Sequence, residues 1–196
     1  MSFLPKENTV PSTSNYMRLE EGDNTFRILG SFEDGTAIMG MEYWKTVGEG
    51  RKPFRVPMGK TVSMSELEVN PQTGELDMPK HFWAIPVWNY TEKRIQILEL
   101  KQKTIMLAIR SLANNPKWGD PHTYDITITR NEEGGKTSYT TTPNPKEELP
   151  PEAHDALKKT PIRIEKLFTG EDPFAQTSGE DLANDIEAYQ KKKRKT

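Results

Sequence analysis

Two short apolar stretches, His81 to Tyr90 (HFWAIPVWNY) and Arg94 to Leu100 (RIQILEL), are separated only by Thr91, Glu92 and Lys93. Runs rich in β-branched and aromatic residues, joined by so few polar ones, form a β-hairpin. No other feature limits the fold as tightly. Pro86 interrupts the first strand and has no amide hydrogen for a ladder, so the pattern predicts an edge strand or a bulge there. Period-two alternation sets Trp83, Ile85 and Val87 on one face and Phe82, Ala84, Pro86, Trp88 and Tyr90 on the other. Both faces are aromatic. Burial of Trp83 in a core, with the other rings under a loop, is one account of this pattern; a platform of exposed rings on which nucleobases stack is the other.

Around the hairpin, the sequence reads as alternating short elements. Phe26 to Phe32 is β-prone between Gly22-Asp23-Asn24 and Asp34-Gly35, and a second strand is expected from Ile38 to Thr46. From Val47 to Pro79 the prolines and glycines predict an extended loop with a short strand at Phe54 to Val56. Ile105, Ala108, Ile109 and Leu112 share a helical face within Lys101 to Asn115, predicting a helix of about four turns stopped at Asn114-Asn115-Pro116. Alternation then resumes at Tyr124, Ile126 and Ile128, with Gly134-Gly135 as a turn and Lys136 to Thr142 as the return strand. A short helix near Glu152 to Lys159 and an apolar anchor at Ile162, Ile164, Leu167 and Phe168 follow. The expected organisation is a loose arm over 1–15, one domain over 16–145, an extension packing on it over 146–174, and a flexible charged tail over 175–196.

The chain has no cysteine, which removes disulfides and cysteine-ligated zinc and fits a reducing compartment. It has no apolar run of bilayer-spanning length and no apolar signal core near its start, so no membrane association is expected. The formal net charge is -2, which argues against a nucleic-acid partner until the charges are located. Tyr43 to Lys60 holds five basic residues against Glu49, and Lys80 to Arg110 holds six against Glu92 and Glu99. Gly170 to Tyr189 holds six acids and no base. The acids Glu66, Glu68, Glu75 and Asp77 follow the first basic segment without an evident role.

Tyr43 and Trp44 must point to opposite faces of their strand. Met39, Met41 and Tyr43 form the more apolar row, so Trp44 is expected outside. Arg51, Lys52 and Arg55 follow, with Arg55 expected to carry its guanidinium to the surface because Phe54 and Val56 alternate with it. The candidate DNA-binding residues are therefore Trp44, Lys45, Arg51, Lys52, Arg55, Phe82, Trp88, Tyr90, Lys93 and Arg94. Rings of this kind bind bases while cations hold phosphates.

With GMEYWKT, GRKPFR, PKHFWAIPVWNY, KRIQILEL and KWGDPHTYDITITR all in view, residues Tyr16 to Phe174 resemble the single-stranded DNA-binding proteins of tailed bacteriophages. The resemblance implies a mainly β fold, an OB-like barrel of five to six strands with one helix between its third and fourth core strands. It further implies protection of single-stranded DNA in phage replication, recombination and repair, in the cytoplasm of the infected bacterium. Replication or recombination proteins are the protein partners it implies, held by an acidic C-terminal tail that competes with DNA. This chain departs from that pattern by closing on the basic run Lys191 to Lys195.

Catalysis is not expected, nor is a cofactor or a metal. His81, His122 and His154 are scattered, the acids of residues 66–77 lie in a loop rather than on rigid strands, and Gly48, Gly50 and Gly59 do not have phosphate-loop spacing. The competing reading is a phage structural or protein-interaction module using the same aromatic and basic face, since protein interfaces also favour Trp, Tyr and Arg.

Overall fold

The computed structural model describes residues 14–175. The arm expected over 1–15 and the tail expected over 175–196 fall, apart from residues 14, 15 and 175, outside the described residues. The chain forms β1 (Tyr16–Met17), β2 (Gly22–Ile28), β3 (Ile38–Val47), β4 (Gly50–Pro57), β5 (Lys80–Asn89), β6 (Arg94–Leu100), α1 (Lys103–Ala113), β7 (Tyr124–Glu133), β8 (Lys136–Lys146) and α2 (Pro151–Lys159). A 3₁₀ turn at Ile164–Phe168 ends the extension. The fold is mainly β, an eight-stranded mixed sheet with two helices. Its path runs β1-β6-β5-β2-β7-β8, and β3 joins β5 and carries β4. The two ends of that path do not pair, so the sheet is open where a closed barrel was expected.

The hairpin of β5 and β6 forms as its pattern predicts, with Trp83 opposite Leu100 and Asn89 opposite Arg94. Its turn is four residues, Tyr90 to Lys93, one more than expected because Tyr90 leaves the ladder; Lys93 sits at φ 50, and the Asn89 carboxamide accepts from the Thr91 amide at 2.9 Å. In the β7–β8 hairpin Gly134 and Gly135 take φ 57 and 75, the left-handed pair that matches the twist of the flanking strands.

Pro86 does not mark an edge. β5 is central, flanked by β6 on one side and by β2 and then β3 on the other. Ile28 pairs with Val87 and Ile38 with Ala84, so residues 29–37 leave the ladder beside Ile85 and Pro86. The Pro86 carbonyl accepts from the Leu29 amide at 2.9 Å, and its nitrogen faces the same side, where the departing chain needs no donor. A Cβ on Gly30 would sit 2.7 Å from the Pro86 ring, so only glycine lets the chain turn away here. The proline rule does describe the true edge strands, since Pro53 and Pro57 lie in β4 and Pro143 and Pro145 in β8.

β4 is longer than the expected three-residue strand, because pairing from Val47–Gly50 to Gly40–Pro57 extends the β3 ladder across a turn at Gly48. The helix is shorter, about three turns, ending where Asn114 leaves the ladder.

The sheet is packed on both faces. One face sets Phe26, Ile28, Trp83, Ile85, Val87, Leu98, Leu100, Ile126 and Ile128 against Ile105, Met106 and Ile109 of α1. On the other, Phe82, Ala84 and Ile97 pack against Ile164 and Leu167, and Trp88 and Ile95 against Ala153 of α2.

Candidate nucleic-acid interface

The structure does not bring the ten candidate residues together. Trp44, Lys45, Arg51, Lys52 and Arg55 lie on the β3–β4 hairpin, beyond the Lys80 end of β5, while Trp88, Tyr90, Lys93 and Arg94 lie at its Asn89 end. A ten-residue strand separates the two groups by about 30 Å.

Phe82 and Trp88 are 0% and 2% exposed. Releasing them means undocking Ile164, Leu167 and Ala153. Burying each large apolar side chain stabilises by about 1.5–3 kcal/mol, whereas a stacked base returns about 1–3 kcal/mol. Both rings therefore stay covered. Tyr90 is half-buried, and its hydroxyl donates to Asp125 at 2.9 Å. Burial first, then that hydrogen bond, raises its phenol well above the ordinary value. Asp125 also accepts from the Arg27 guanidinium at 2.5 Å, in an ion pair closed off from solvent.

Arg55 is not the surface cation that alternation suggested. It faces its cross-strand partner Glu42 at 2.8 Å and reaches Glu99 at 2.8 Å, with its guanidinium 4.9 Å from the Phe82 ring centroid. Lys101 adds a second contact to Glu42 at 2.6 Å. The neighbouring cleft of about 460 Å³ mixes Arg18 and Arg55 with Glu99 and Glu171, a balance that offers no net attraction to a polyanion. Arg94 is tied to the Ser14 carbonyl at 2.7 Å and to Asn15 at 3.0 Å. Trp44 is half-buried and Lys52 and Lys93 are exposed.

A different surface unites rings and cations. Between α1 and the face of β3 and β5 lie two adjoining hollows of about 470 and 780 Å³ that share His81, Trp83 and Arg110. Their floor is aromatic and apolar. Phe32, 37% exposed, tilts against the Trp83 indole at 5.2 Å between centroids, and His81 meets the same indole edge-on at 6.4 Å. His81 Nε2 and Trp83 Nε1 have no hydrogen-bond partner among the described residues. Met39 and Met58 continue the floor.

The rim is basic. Lys80, Lys101, Lys103 and Arg110 line the smaller hollow, and of these Lys80, Lys103 and Arg110 are exposed without a carboxylate partner among the described residues. The rim also contains the start of α1, where no side chain caps the first turn and no acid occupies it. Such a helix start is electropositive. Glu33 and Asp120 line the far end of the larger hollow, so the favourable track for phosphates runs along the Lys80, Lys103 and Arg110 side. Phe32, His81, Trp83, Lys103 and Arg110 were not among the sequence candidates. The excess of bases from Lys80 to Arg110 signalled Lys103 and Arg110, strand alternation set Trp83 on an aromatic face, and nothing local marked Phe32 or His81.

Among the described residues no three His, Asp or Glu side chains gather as a metal site, and no helix is long and apolar enough to cross a membrane. Comparison with protein-family models, with curated proteins and with solved structures finds no match to this chain.

Proposed function

We propose that this protein binds single-stranded DNA with little sequence preference and without catalysis. The reading rests on the groove beside α1, where an aromatic floor of Phe32, His81 and Trp83 meets the basic rim of Lys80, Lys103 and Arg110. Rings accept any base by its π-face, and cations beside them take the phosphates. The order of strands around α1 supports an OB-like architecture opened out between β1 and β8. The phage resemblance supports a place in replication, recombination and repair in the infected bacterial cytoplasm, with replication or recombination proteins as partners.

Titration with oligo-dT, followed by tryptophan fluorescence, tests the reading. Quenching should saturate, and affinity should fall steeply between about 50 and 200 mM salt as phosphate contacts release counterions. Absence of both quenching and salt-dependent affinity rules it out.

A protein-interaction role is favoured by one observation, the exposure of Met58, Met64, Val69, Leu76 and Met78 in the segment between β4 and β5. Salt separates the two readings, because a largely apolar protein interface changes little over the range that weakens phosphate binding.

A further inference from the structure

Three of the four acids left without a role in the sequence, all but the exposed Glu75, fold back onto the basic hairpin. Glu66 lies 3.6 Å from Lys45 and accepts from the Tyr43 hydroxyl at 3.3 Å. One Glu68 oxygen accepts from both the amide and the hydroxyl of Thr46, at 2.8 and 2.7 Å. Asp77 pairs with Arg51 at 3.1 Å. Three carboxylates thus occupy a set of donors, two cations, the Tyr43 and Thr46 hydroxyls and the Thr46 amide, of the kind that holds phosphate oxygens.

The surface beneath them continues the groove. Met39 pairs with Trp83 and Met41 with His81 across β3 and β5, and strand alternation puts Tyr43 on that same face. Tyr43 pairs in turn with Phe54, their centroids 5.9 Å apart, and Lys45 lies 5.2 and 5.3 Å from the two rings. Trp83, Tyr43 and Phe54 therefore lie along one side of the sheet, and the segment of residues 58–79 crosses the outer end of that row.

That segment is held by charge rather than by a core. No residue from Met58 to Pro79 is buried, and none belongs to a hydrophobic cluster. It has local structure of its own, a bridge between Val69 and Leu76 reinforced by the Asp77 amide donating to the Glu68 carbonyl at 2.9 Å. Met58 stays with the groove floor, its amide donating to the Met39 carbonyl at 3.3 Å, and residues 60–79 can leave as a unit without opening the fold. The Lys45–Glu66 pair is open to solvent on its Glu66 side and the Arg51–Asp77 pair is partly buried; ion pairs that water reaches contribute little each and weaken with salt, and a polyanion competes for the same donors.

We propose that the Tyr43, Phe54, Lys45, Thr46 and Arg51 surface is a second subsite for single-stranded nucleic acid, masked at rest by the acidic strap of residues 60–79, which the bound strand displaces. The inference rests on the single-stranded DNA reading above and adds a regulated extension of the same groove.

The test compares full-length protein with the triple variant Glu66→Gln, Glu68→Gln, Asp77→Asn, and with a control of equal charge change, Glu133→Gln, Glu148→Gln, Glu152→Gln, at exposed positions on β7, before α2 and on α2. At about 50 mM salt the strap variant should bind oligo-dT about tenfold more tightly than the control, the gain shrinking as salt rises. In the unmodified protein, amide hydrogen exchange within residues 60–79 should speed up when oligo-dT is added. Binding by the unmodified protein with equal affinities for the two variants overturns the strap and leaves the groove standing, as does slower exchange in 60–79 on binding. No oligo-dT binding by any of the three proteins removes the groove and the strap together.

Discussion

Phe32 leans on Trp83 with ring centroids 5.2 Å apart and planes inclined at 60°, leaving the phenyl more than a third exposed above a buried indole. The pair joins the loop that leaves the ladder beside Pro86 to the centre of β5. Phe32→Ala removes the exposed ring and keeps the fold. Oligo-dT binding should weaken about tenfold, in line with about 1–3 kcal/mol per stacked base. Chemical denaturation should show a loss no larger than about 1.5 kcal/mol, the scale of one aromatic pair.

Lys103 and Arg110 sit on the basic rim. Each contact to a single-stranded phosphate contributes about 0.7 to the slope of log affinity against log salt. Lys103→Ala and Arg110→Ala should each flatten that slope by about this amount. Lys158→Ala, on α2 against the opposite face of the sheet, should leave it unchanged. Equal slopes for all three would remove the rim from the binding path.

Arg27 is 1% exposed, and besides Asp125 it donates to the carbonyls of His122 at 3.2 Å and Glu147 at 3.1 Å. Arg27→Met leaves Asp125 buried without its cationic partner, beside the Tyr90 hydroxyl and the Glu147 carboxyl. The expected cost in urea denaturation is about 3–5 kcal/mol, the usual result of breaking a buried pair from one side. Adding Asp125→Leu should recover at least half of that loss, because the uncompensated charge is then gone.

The hydrogen bond from the Thr46 hydroxyl, and after it the one from the Thr46 amide, holds the Glu68 carboxyl below its ordinary range. A carboxyl lowered in the folded state stabilises above its unfolded pKa and loses that contribution as pH falls through the folded value. Attachment of the strap through Glu68 is therefore complete at neutral pH and is lost on acidification. The Thr46 amide resonance should titrate with a midpoint below the ordinary glutamate value of about 4.3, and Glu68→Gln should abolish that transition.

Most local elements are legible in the residues alone, though β1 and the full length of β4 are not. The β5–β6 and β7–β8 hairpins follow from alternation and turn residues, and α1 from the spacing of Ile105, Ile109 and Leu112, because these patterns act between near neighbours in the chain. The sequence also located the basic segments. Only the tertiary structure decided which aromatic face was available. Alternation distinguishes the Phe82, Trp88 row from the Trp83 row, yet nothing local to β5 says that Ile164, Leu167 and Ala153 return to cover the first. It likewise sets Arg55 against Glu42 and Glu99, Glu66 and Asp77 against Lys45 and Arg51, and Glu68 against the Thr46 amide and hydroxyl. A charge in sequence has no fixed partner. Pairing depends on which strands the sheet sets side by side, and β5 does so by taking β6 along one side and β2 and β3 in succession along the other.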